Sequence, residues 1–304
     1  MDYQLMLSLI QNKFAPEDAL GEVAGYIPEL SKVNPQKFGL HLFCNDGSSF
    51  SFGDHQEKFS IQSISKVFTL TIAKELLGKE LWKRVGVEPS GTAFNSLTAL
   101  EREGGIPRNP FINAGSIVVA DTLLSVLDHP KEDLLKFVRK LCADDDIHYD
   151  EDVANSEKKH GYRNKALVNY MKSLGNITND TEDVLEFYFY QCALMMTCEQ
   201  LSKAFMLFAN EGKHFLTHEK VIDPQSVKRI NSIMQTCGFY DEAGEFSYRV
   251  GLPGKSGVGG GIVAVHPGHY AVAVWSPKLN LKGNSALGMK ALEELTTLTG
   301  LSIF

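Results

Sequence analysis

The first 30 residues carry apolar side chains at helical spacing. These positions are Met6, Leu9, Ile10, Leu20, Val23 and Ile27. Steps of three and four residues place apolar side chains on one face of a helix, which then packs against a core. The pattern therefore predicts amphipathic helix through this N-terminal segment.

Two short runs with strand character follow, at residues 38–43 and 49–52. The tripeptide Asn45-Asp46-Gly47 lies between them. Asn, Asp and Gly tolerate the left-handed backbone that a tight hairpin turn requires. We therefore predict that the two runs pair as an antiparallel hairpin.

The pattern changes from strand to helix after Ser60. The following segment is apolar on most sides, as a buried helix is, and it ends near Gly78. Its apolar residues are Val67, Phe68, Leu70, Ile72, Leu76 and Leu77. We predict that Ser60 caps this helix and that Ser63 lies in its first turns.

Residues 82–235 show mostly helical periodicity and loops, with little strand signal. Residues 142–165 are charged and irregular, which is typical of an ordered active-site loop or a solvated surface. Strand patterns return at residues 248–252, 256–265 and 270–275. A last helix is predicted over residues 285–298.

Strands at both ends of the chain and helices in its middle indicate an α/β protein of the α+β type. An antiparallel sheet flanked by the terminal helices, with a helical subdomain opposite, satisfies this order. We expect one domain over residues 1–304, with a sheet lobe at about 1–62 and 236–304. The helical lobe then covers about 63–235, and no internal repeat or low-complexity linker divides the chain.

The composition is that of a globular protein with a sizeable core, at 304 residues, 43% hydrophobic and 22% charged. A net charge of −7 argues against nucleic acid and anionic membranes as partners. No apolar run approaches the ~18 residues of a membrane span, and Asp2 stands where a signal peptide carries Lys or Arg. Five cysteines without a Cys-x-x-Cys pair indicate reduced thiols and a cytoplasmic location.

Ser63 and Lys66 are three residues apart on a predicted helix and so share one face. A serine hydroxyl becomes a nucleophile when a neighbouring base takes its proton. Lysine serves as that base only when neutral, and at its ordinary pKa only ~0.04% is neutral at pH 7. Burial and a nearby cation both lower a lysine pKa, and Lys255 is the candidate cation.

A second Ser-x-x-Lys pair, Ser156 and Lys159, weakens the argument from spacing alone. Chance alone yields about one such pair in a chain of this length. The second pair lies in the charged stretch and has no apolar helix behind it. We therefore favour Ser63 as the nucleophile.

The segment 255–261, Lys-Ser-Gly-Val-Gly-Gly-Gly, is open to three interpretations. A phosphate loop is disfavoured because the Walker spacing and a following helix are missing. A bulged strand approached closely by another backbone is the second. The third is an oxyanion hole, in which the N–H groups of Val258 and Ser63 bind a developing negative charge.

In this order, the Ser-x-x-Lys and Lys-Ser-Gly motifs resemble those of β-lactamases and penicillin-binding proteins. The sequence is more similar to the bacterial-type glutaminases, from about Tyr26 to Trp275. The segments that carry this resemblance are residues 59–68 (FSIQSISKVF), 107–115 (PRNPFINAG), 237–241 (CGFYD) and 249–262 (RVGLPGKSGVGGGI). The resemblance implies a β-lactamase-like fold and hydrolysis of L-glutamine to L-glutamate and ammonia, without a cofactor or metal.

The resemblance also implies roles for individual residues. Ser63 is the nucleophile, Lys66 its base, Tyr240 a second catalytic group and Val258 the oxyanion donor. The residues that hold the amino acid head of the substrate are Tyr26, Asn113, Glu157, Asn164 and Tyr188. A zwitterion needs one anion for its ammonium and neutral donors for its carboxylate, and these residue types supply both.

Some alternatives remain open in the sequence. Tyr162-Arg163-Asn164 has the Tyr-x-Asn form of some β-lactamases, so Tyr162 competes with Tyr240 for the acid role. Lys66, which becomes an ammonium after taking the Ser63 proton, is the third candidate for the group that protonates the leaving ammonia. A cytoplasmic serine acyl transferase or esterase and a non-catalytic glutamine-sensing protein are the alternative functions. We expect a homo-oligomer, a dimer or tetramer, although the sequence alone does not determine the number of subunits.

Overall fold

A computed structural model describes residues 1–91 and 97–304 of the chain. Over this part the α-helices are α1 Tyr3–Lys13, α2 Ser65–Leu77, α3 Leu97–Arg102, α4 Asn113–Leu124, α5 Pro130–Cys142, α6 Glu151–His160, α7 Tyr162–Ser173, α8 Thr181–Cys192, α9 Cys198–Ala209, α10 Pro224–Cys237, α11 Ala243–Arg249 and α12 Ala286–Thr299. The strands are β1 Gly39–Cys44, β2 Ser49–Gly53, β3 Phe59–Ser60, β4 His148–Tyr149, β5 Leu194–Met196, β6 Gly254–Ser256, β7 Gly261–His266 and β8 Tyr270–Trp275.

The main sheet has five antiparallel strands in the order β2-β1-β8-β7-β6. Leu40 of β1 lies opposite Phe52 on one side and Val274 on the other. The N-terminal hairpin thus pairs with the C-terminal strands, which brings together the two ends of the chain. The predicted antiparallel sheet and its first hairpin are confirmed.

Both faces of this sheet are buried. Leu40, Leu42 and Val272 point to the side on which α1 and α12 pack. Val263 and Ala273 point to the other side, where α9 lies across β1, β7 and β8. Each fully buried Val or Leu contributes ~1.5–3 kcal/mol, so this alternation fixes the register of the strands.

A second, three-stranded sheet in the order β3-β5-β4 escaped prediction. Its strands have two or three residues, too few for alternation to be recognised. The Ile61 N–H donates to the Leu194 carbonyl at 2.9 Å, just beyond β3. This small sheet anchors the chain immediately before Ser63 to the end of α8.

The predicted start of α2 needs correction. A 3₁₀ turn at Gln62–Ile64 precedes the α-helix, so Ser63 lies in this turn. Ser60 does not cap the helix, because its hydroxyl donates to the Cys192 carbonyl at 2.9 Å. The predicted end is confirmed: Gly78 has a φ of 57° and its N–H bonds the Lys74 carbonyl.

The N-terminal helix is shorter than predicted. It ends at Lys13 and buries Leu7 and Ile10, whereas Leu9 is largely exposed. Residues 20–27 are not helical, because Glu22 instead forms an antiparallel bridge with Leu279. Tertiary pairing thus overrides the helical periodicity of this segment.

Three further expectations are wrong. Residues 142–165 are largely ordered as helices, the end of α5, α6 and the start of α7, rather than irregular. Residues 248–249 are the end of helix α11, and residues 250–252 form no strand. The predicted strand 256–265 is interrupted by a turn between β6 and β7.

The last strand and last helix are confirmed as β8 and α12, and Ser285 caps α12 through the Gly288 N–H. Among the helices of the described residues, none is long and apolar enough to cross a membrane.

Candidate active site

The predicted site residues meet in one cavity of about 200 Å³. Its wall includes eight of them: Tyr26, Ser63, Asn113, Glu157, Asn164, Tyr188, Tyr240 and Val258. They come from the 3₁₀ turn, four helices and three loops, spread over more than 230 positions of sequence. The volume is below the ~300–1,000 Å³ of drug-sized sites, which suits a small metabolite.

Lys66 lies behind Ser63 and is 1% exposed. Its amine donates to the Phe111 carbonyl at 3.1 Å and to Asn113 Oδ1 at 2.8 Å. Burial lowers the pKa of Lys66 to about 8. At pH 7 about a tenth of this side chain is then neutral, far more than for an exposed lysine.

Lys255 is fully buried and does not belong to the cavity wall. Its amine donates to the Gly238 carbonyl at 3.0 Å and the Ser256 carbonyl at 2.6 Å. Burial and the charge of Lys66 hold the pKa of Lys255 well below its ordinary value. The expected effect of one lysine on the other therefore falls on Lys255, whereas burial is the main cause of the shift at Lys66.

The glycines between β6 and β7 permit a close approach of two backbones. A Cβ on Gly257 would lie 2.4 Å from the Ile61 carbonyl oxygen, and one on Gly259 would lie 2.1 Å from that of Ser60. A side chain at Gly257 or Gly259 would therefore force this glycine segment away from the backbone of residues 60–61. The glycines thus seat Val258 beside the turn that carries Ser63, and strand β7 rather than a helix follows them.

Tyr240 has a left-handed backbone, with a φ of 56°, and is 8% exposed. Burial raises the pKa of its phenol to about 12, and hydrogen bonds with Ser63 and Ser256 oppose this rise. The phenol therefore holds its proton at neutral pH, next to the candidate nucleophile. Tyr162 is 73% exposed and does not contribute to the cavity wall.

Glu157 of α6 is the carboxylate of the cavity and is 6% exposed. Burial raises its pKa to about 7, while a hydrogen bond from Gln62 and the charge of Lys66 oppose the rise. Burial disfavours the ionised form of this carboxyl, and a cationic partner would stabilise that form. The site is thus prepared for an ammonium group.

The remaining predicted binding residues line the same cavity as this carboxyl. Asn113 donates to Asn164 Oδ1 at 3.0 Å, which links the first turns of α4 and α7. Tyr188 is buried, and the Lys66 amine lies 5.9 Å from the centre of its ring. Tyr26 is 59% exposed and stands at the mouth.

Sequence reasoning missed six residues of the wall: Ile27, Gln62, His160, Gly161, Arg163 and Cys192. Gln62, directly before the nucleophile, has a φ of 50° and donates to Ser60 Oγ at 3.0 Å. Arg163 lies inside the Tyr-x-Asn motif, so its position next to Asn164 was a usable signal. For His160 the sequence offered none.

The second Ser-x-x-Lys pair does not form a comparable arrangement. Ser156 is 9% exposed on α6, whereas Lys159 faces solvent. Neither residue belongs to the cavity wall. The solvent-facing side chain of Lys159 and the buried hydroxyl of Ser156 therefore do not form a nucleophile and base within the cavity.

Comparison with known proteins relates the chain to one family. A family model described as Glutaminase matches residues 21–304. A glutaminase of Christiangramia forsetii is 64% identical over 304 residues, covering 100% of both chains. A glutaminase of Saccharophagus degradans is 58% identical, covering 100% of this chain and 99% of that relative.

Solved structures share the same architecture. One described as the probable glutaminase ybaS matches with a TM-score of 0.94 at 33% identity, covering 99% of this chain and 97% of that one. A Bacillus glutaminase matches with a TM-score of 0.91 at 32% identity, covering 100% of each chain. A structure of Mglu in its glutamate form has a TM-score of 0.91 at 30% identity, covering 100% of this chain and 69% of that one. The predicted β-lactamase-like fold is confirmed.

Proposed function

The chain belongs to the glutaminase family and hydrolyses L-glutamine to L-glutamate and ammonia, and we propose that it does so through an acyl-enzyme on Ser63. The observation that carries this mechanism is the meeting of Ser63, Glu157, Asn164 and Tyr240 in one small cavity. This cavity combines a nucleophile, a carboxylate that can bind an ammonium group and a proton donor, and its volume suits a single amino acid.

Lys66 is the base in this proposal. Its amine donates to two oxygens, of Phe111 and Asn113. A neutral amine has two N–H groups and one lone pair, so it keeps both hydrogen bonds and has the lone pair left. That lone pair takes the Ser63 proton as Oγ attacks the side-chain carbonyl carbon of glutamine.

The N–H groups of Val258 and Ser63 stabilise the oxyanion that forms at this step. The close approach at Gly257 and Gly259 supports their pairing, since it holds Val258 against the nucleophile turn. Backbone donors are oriented in advance, and the loss of one typically costs ~3 kcal/mol of transition-state stabilisation.

Tyr240 completes the acylation step. An amide nitrogen does not leave as an anion at neutral pH, so it needs a proton. The Tyr240 phenol, protonated and next to Ser63, gives its proton to nitrogen as the C–N bond breaks, and the Lys66 ammonium restores it. Water then attacks the acyl-enzyme and gives a proton to Lys66. As the bond between Ser63 Oγ and the acyl carbon breaks, the Lys66 ammonium returns this proton to Oγ and glutamate is released.

In this proposal the amino acid head of the substrate is held by other residues of the same cavity wall. Glu157 binds the ammonium, while Asn164 and Tyr188 donate to the carboxylate, with Tyr26 over the mouth. A structure of Mglu is described as its glutamate form, and L-glutamate is the product of the reaction proposed here. The positive charge of Arg163 on the wall adds to the attraction for a carboxylate.

The five cysteines are free thiols and all are buried, which favours a reducing compartment. We therefore keep the cytoplasm as the proposed location. The homo-oligomer expected from the sequence stays a prediction.

Purified protein separates the three functions in one assay. We expect ammonia release from L-glutamine, measured by an enzyme-coupled assay, together with an acyl adduct on Ser63 from a reactive glutamine analogue. Hydrolysis of simple esters without ammonia release identifies an esterase. Glutamine binding by calorimetry without turnover identifies a sensor.

A further inference from the structure

Tyr240 reaches Ser63 from a backbone conformation that a tyrosine rarely adopts. Its φ of 56° lies in the left-handed region, where a side chain crowds the following carbonyl. Such strained residues persist only when the surrounding structure holds them in place. Some contact near Tyr240 must therefore offset this strain.

Lys255 supplies contacts on both sides of this turn. Its amine donates to the Gly238 carbonyl at 3.0 Å, two residues before Tyr240. The same amine lies 4.7 Å from the centre of the Tyr240 ring, close enough for a polar N–H contact with the face of the ring. The Ser256 N–H donates to the Gly238 carbonyl at 3.2 Å as well, so strand β6 and the turn are held together at one oxygen.

We propose that Lys255 is a positioning residue, which holds the turn 238–240 and the Tyr240 ring so that the phenol faces Ser63 and the leaving nitrogen. Lys255 does not belong to the cavity wall and therefore acts through Tyr240 rather than on the substrate. The inference rests on the acid role proposed for Tyr240. It replaces the expectation that Lys255 serves as a charge acting on Lys66.

The burial of Lys255 supports a specific purpose for its amine. An apolar residue of similar length would fill the same space without the cost of burying an amine. It would leave the Ser256 carbonyl without this donor and the Tyr240 ring without its polar contact. The amine is thus tied to the geometry of the turn.

The test compares two substrates that differ in their need for an acid. L-Glutamine loses ammonia and needs a proton on nitrogen, whereas the γ-methyl thioester of L-glutamate loses a thiolate that leaves without one. In Lys255→Met we expect kcat for glutamine to fall about a hundredfold, the size of a lost general acid. We expect kcat for the thioester to stay within about threefold of the parent value.

A double-mutant cycle completes the test. Tyr240→Phe should show the same selective loss, and adding Lys255→Met to it should change kcat for glutamine little further. An equal loss for both substrates, or losses that multiply in the double variant, overturns the positioning role. If Tyr240→Phe itself keeps parent kcat for glutamine, the acid role of Tyr240 fails instead.

Lys255→Gln serves as the second variant should the methionine variant not fold. Its side chain keeps donors for the carbonyls but carries no positive charge. If Lys255 positions the turn, the glutamine variant retains most of the activity and the pH at which kcat rises does not move. A loss as large as in Lys255→Met, with the rise of kcat moved to higher pH, supports a charge acting on Lys66 and overturns the proposal.

Discussion

Lys66 and Asn113 are joined by a hydrogen bond of 2.8 Å from the lysine amine to the amide oxygen. The amide nitrogen of Asn113 in turn donates to Asn164 Oδ1 at 3.0 Å. The proposed base and the proposed binding site for the substrate head therefore share one side chain. Substitutions at Asn113 should therefore change the pKa of Lys66.

Replacement of Asn113 by Asp should move the pH dependence of the reaction upward. A carboxylate in place of the amide oxygen favours the ammonium form and raises the pKa of Lys66 from about 8. Since only the neutral amine takes the Ser63 proton, kcat at pH 7 should fall and recover at higher pH. The matched control is Asn169→Asp, at an exposed position of α7. An unchanged kcat profile in Asn113→Asp contradicts the base assignment.

Ser63→Ala should abolish ammonia release and leave the fold intact, because it removes a single oxygen from a 3₁₀ turn. Ser156→Ala is the control, since it removes the same atom from the other Ser-x-x-Lys pair. We expect the control to retain parent kcat. Circular dichroism should show both variants folded. Turnover in Ser63→Ala comparable to the parent rate would end the nucleophile assignment.

Glu157→Gln should weaken binding of the substrate and raise the free energy of unfolding. The carboxyl has a pKa of about 7 when folded and 4.5 ordinarily, so the folded state binds the proton more tightly. The resulting penalty is absent below pH 4.5, grows as pH rises and is complete above pH 7, where it amounts to ~3 kcal/mol. The side chain introduced in Glu157→Gln does not ionise and so carries no such penalty. The free energy of unfolding of the variant should therefore exceed that of the parent at pH 8, and the difference should be small at pH 5.

Two measurements on the Glu157→Gln variant test the expected changes in stability and in substrate binding. Urea unfolding at pH 8 and pH 5 reports the stability, and KM for glutamine reports the lost ammonium contact. Removing the anion should weaken binding by ~2–5 kcal/mol if the pair is desolvated. A variant with parent KM, or one destabilised at pH 8, would show that Glu157 is not a strained ammonium anchor.

Asp121→Asn should destabilise the protein by ~3 kcal/mol, because it removes the charge of a fully buried carboxylate from its pair with the partly buried Arg84. Asp121 is fully buried on α4, is paired with Arg84 and accepts the N–H groups of Thr178 and Asn179. Asp133→Asn is the control, as its contact with Lys136 is a surface pair at 3.8 Å worth ~0–1 kcal/mol. The midpoint of urea unfolding tests this, and equal midpoints for the two variants would contradict it.

Several features followed from the sequence because they depend on neighbours along the chain. The 45–47 turn, strand β8 and helix α12 arise from local periodicity and turn chemistry, which act over a few residues. The three-residue spacing of Ser63 and Lys66 likewise joins nucleophile and base in one local segment. The resemblance of whole segments then supplied the binding residues that spacing alone did not reveal.

Only the tertiary structure decided the properties that depend on contacts between residues far apart in the sequence. Residues 20–27 lost their helix to pairing with Leu279, and the three-stranded sheet formed from runs too short to recognise. The pKa of Glu157 and the contacts of Lys255 with the Tyr240 turn depend on burial by elements far away in sequence. Burial and close contact are set by the whole packed core, and no local pattern encodes them.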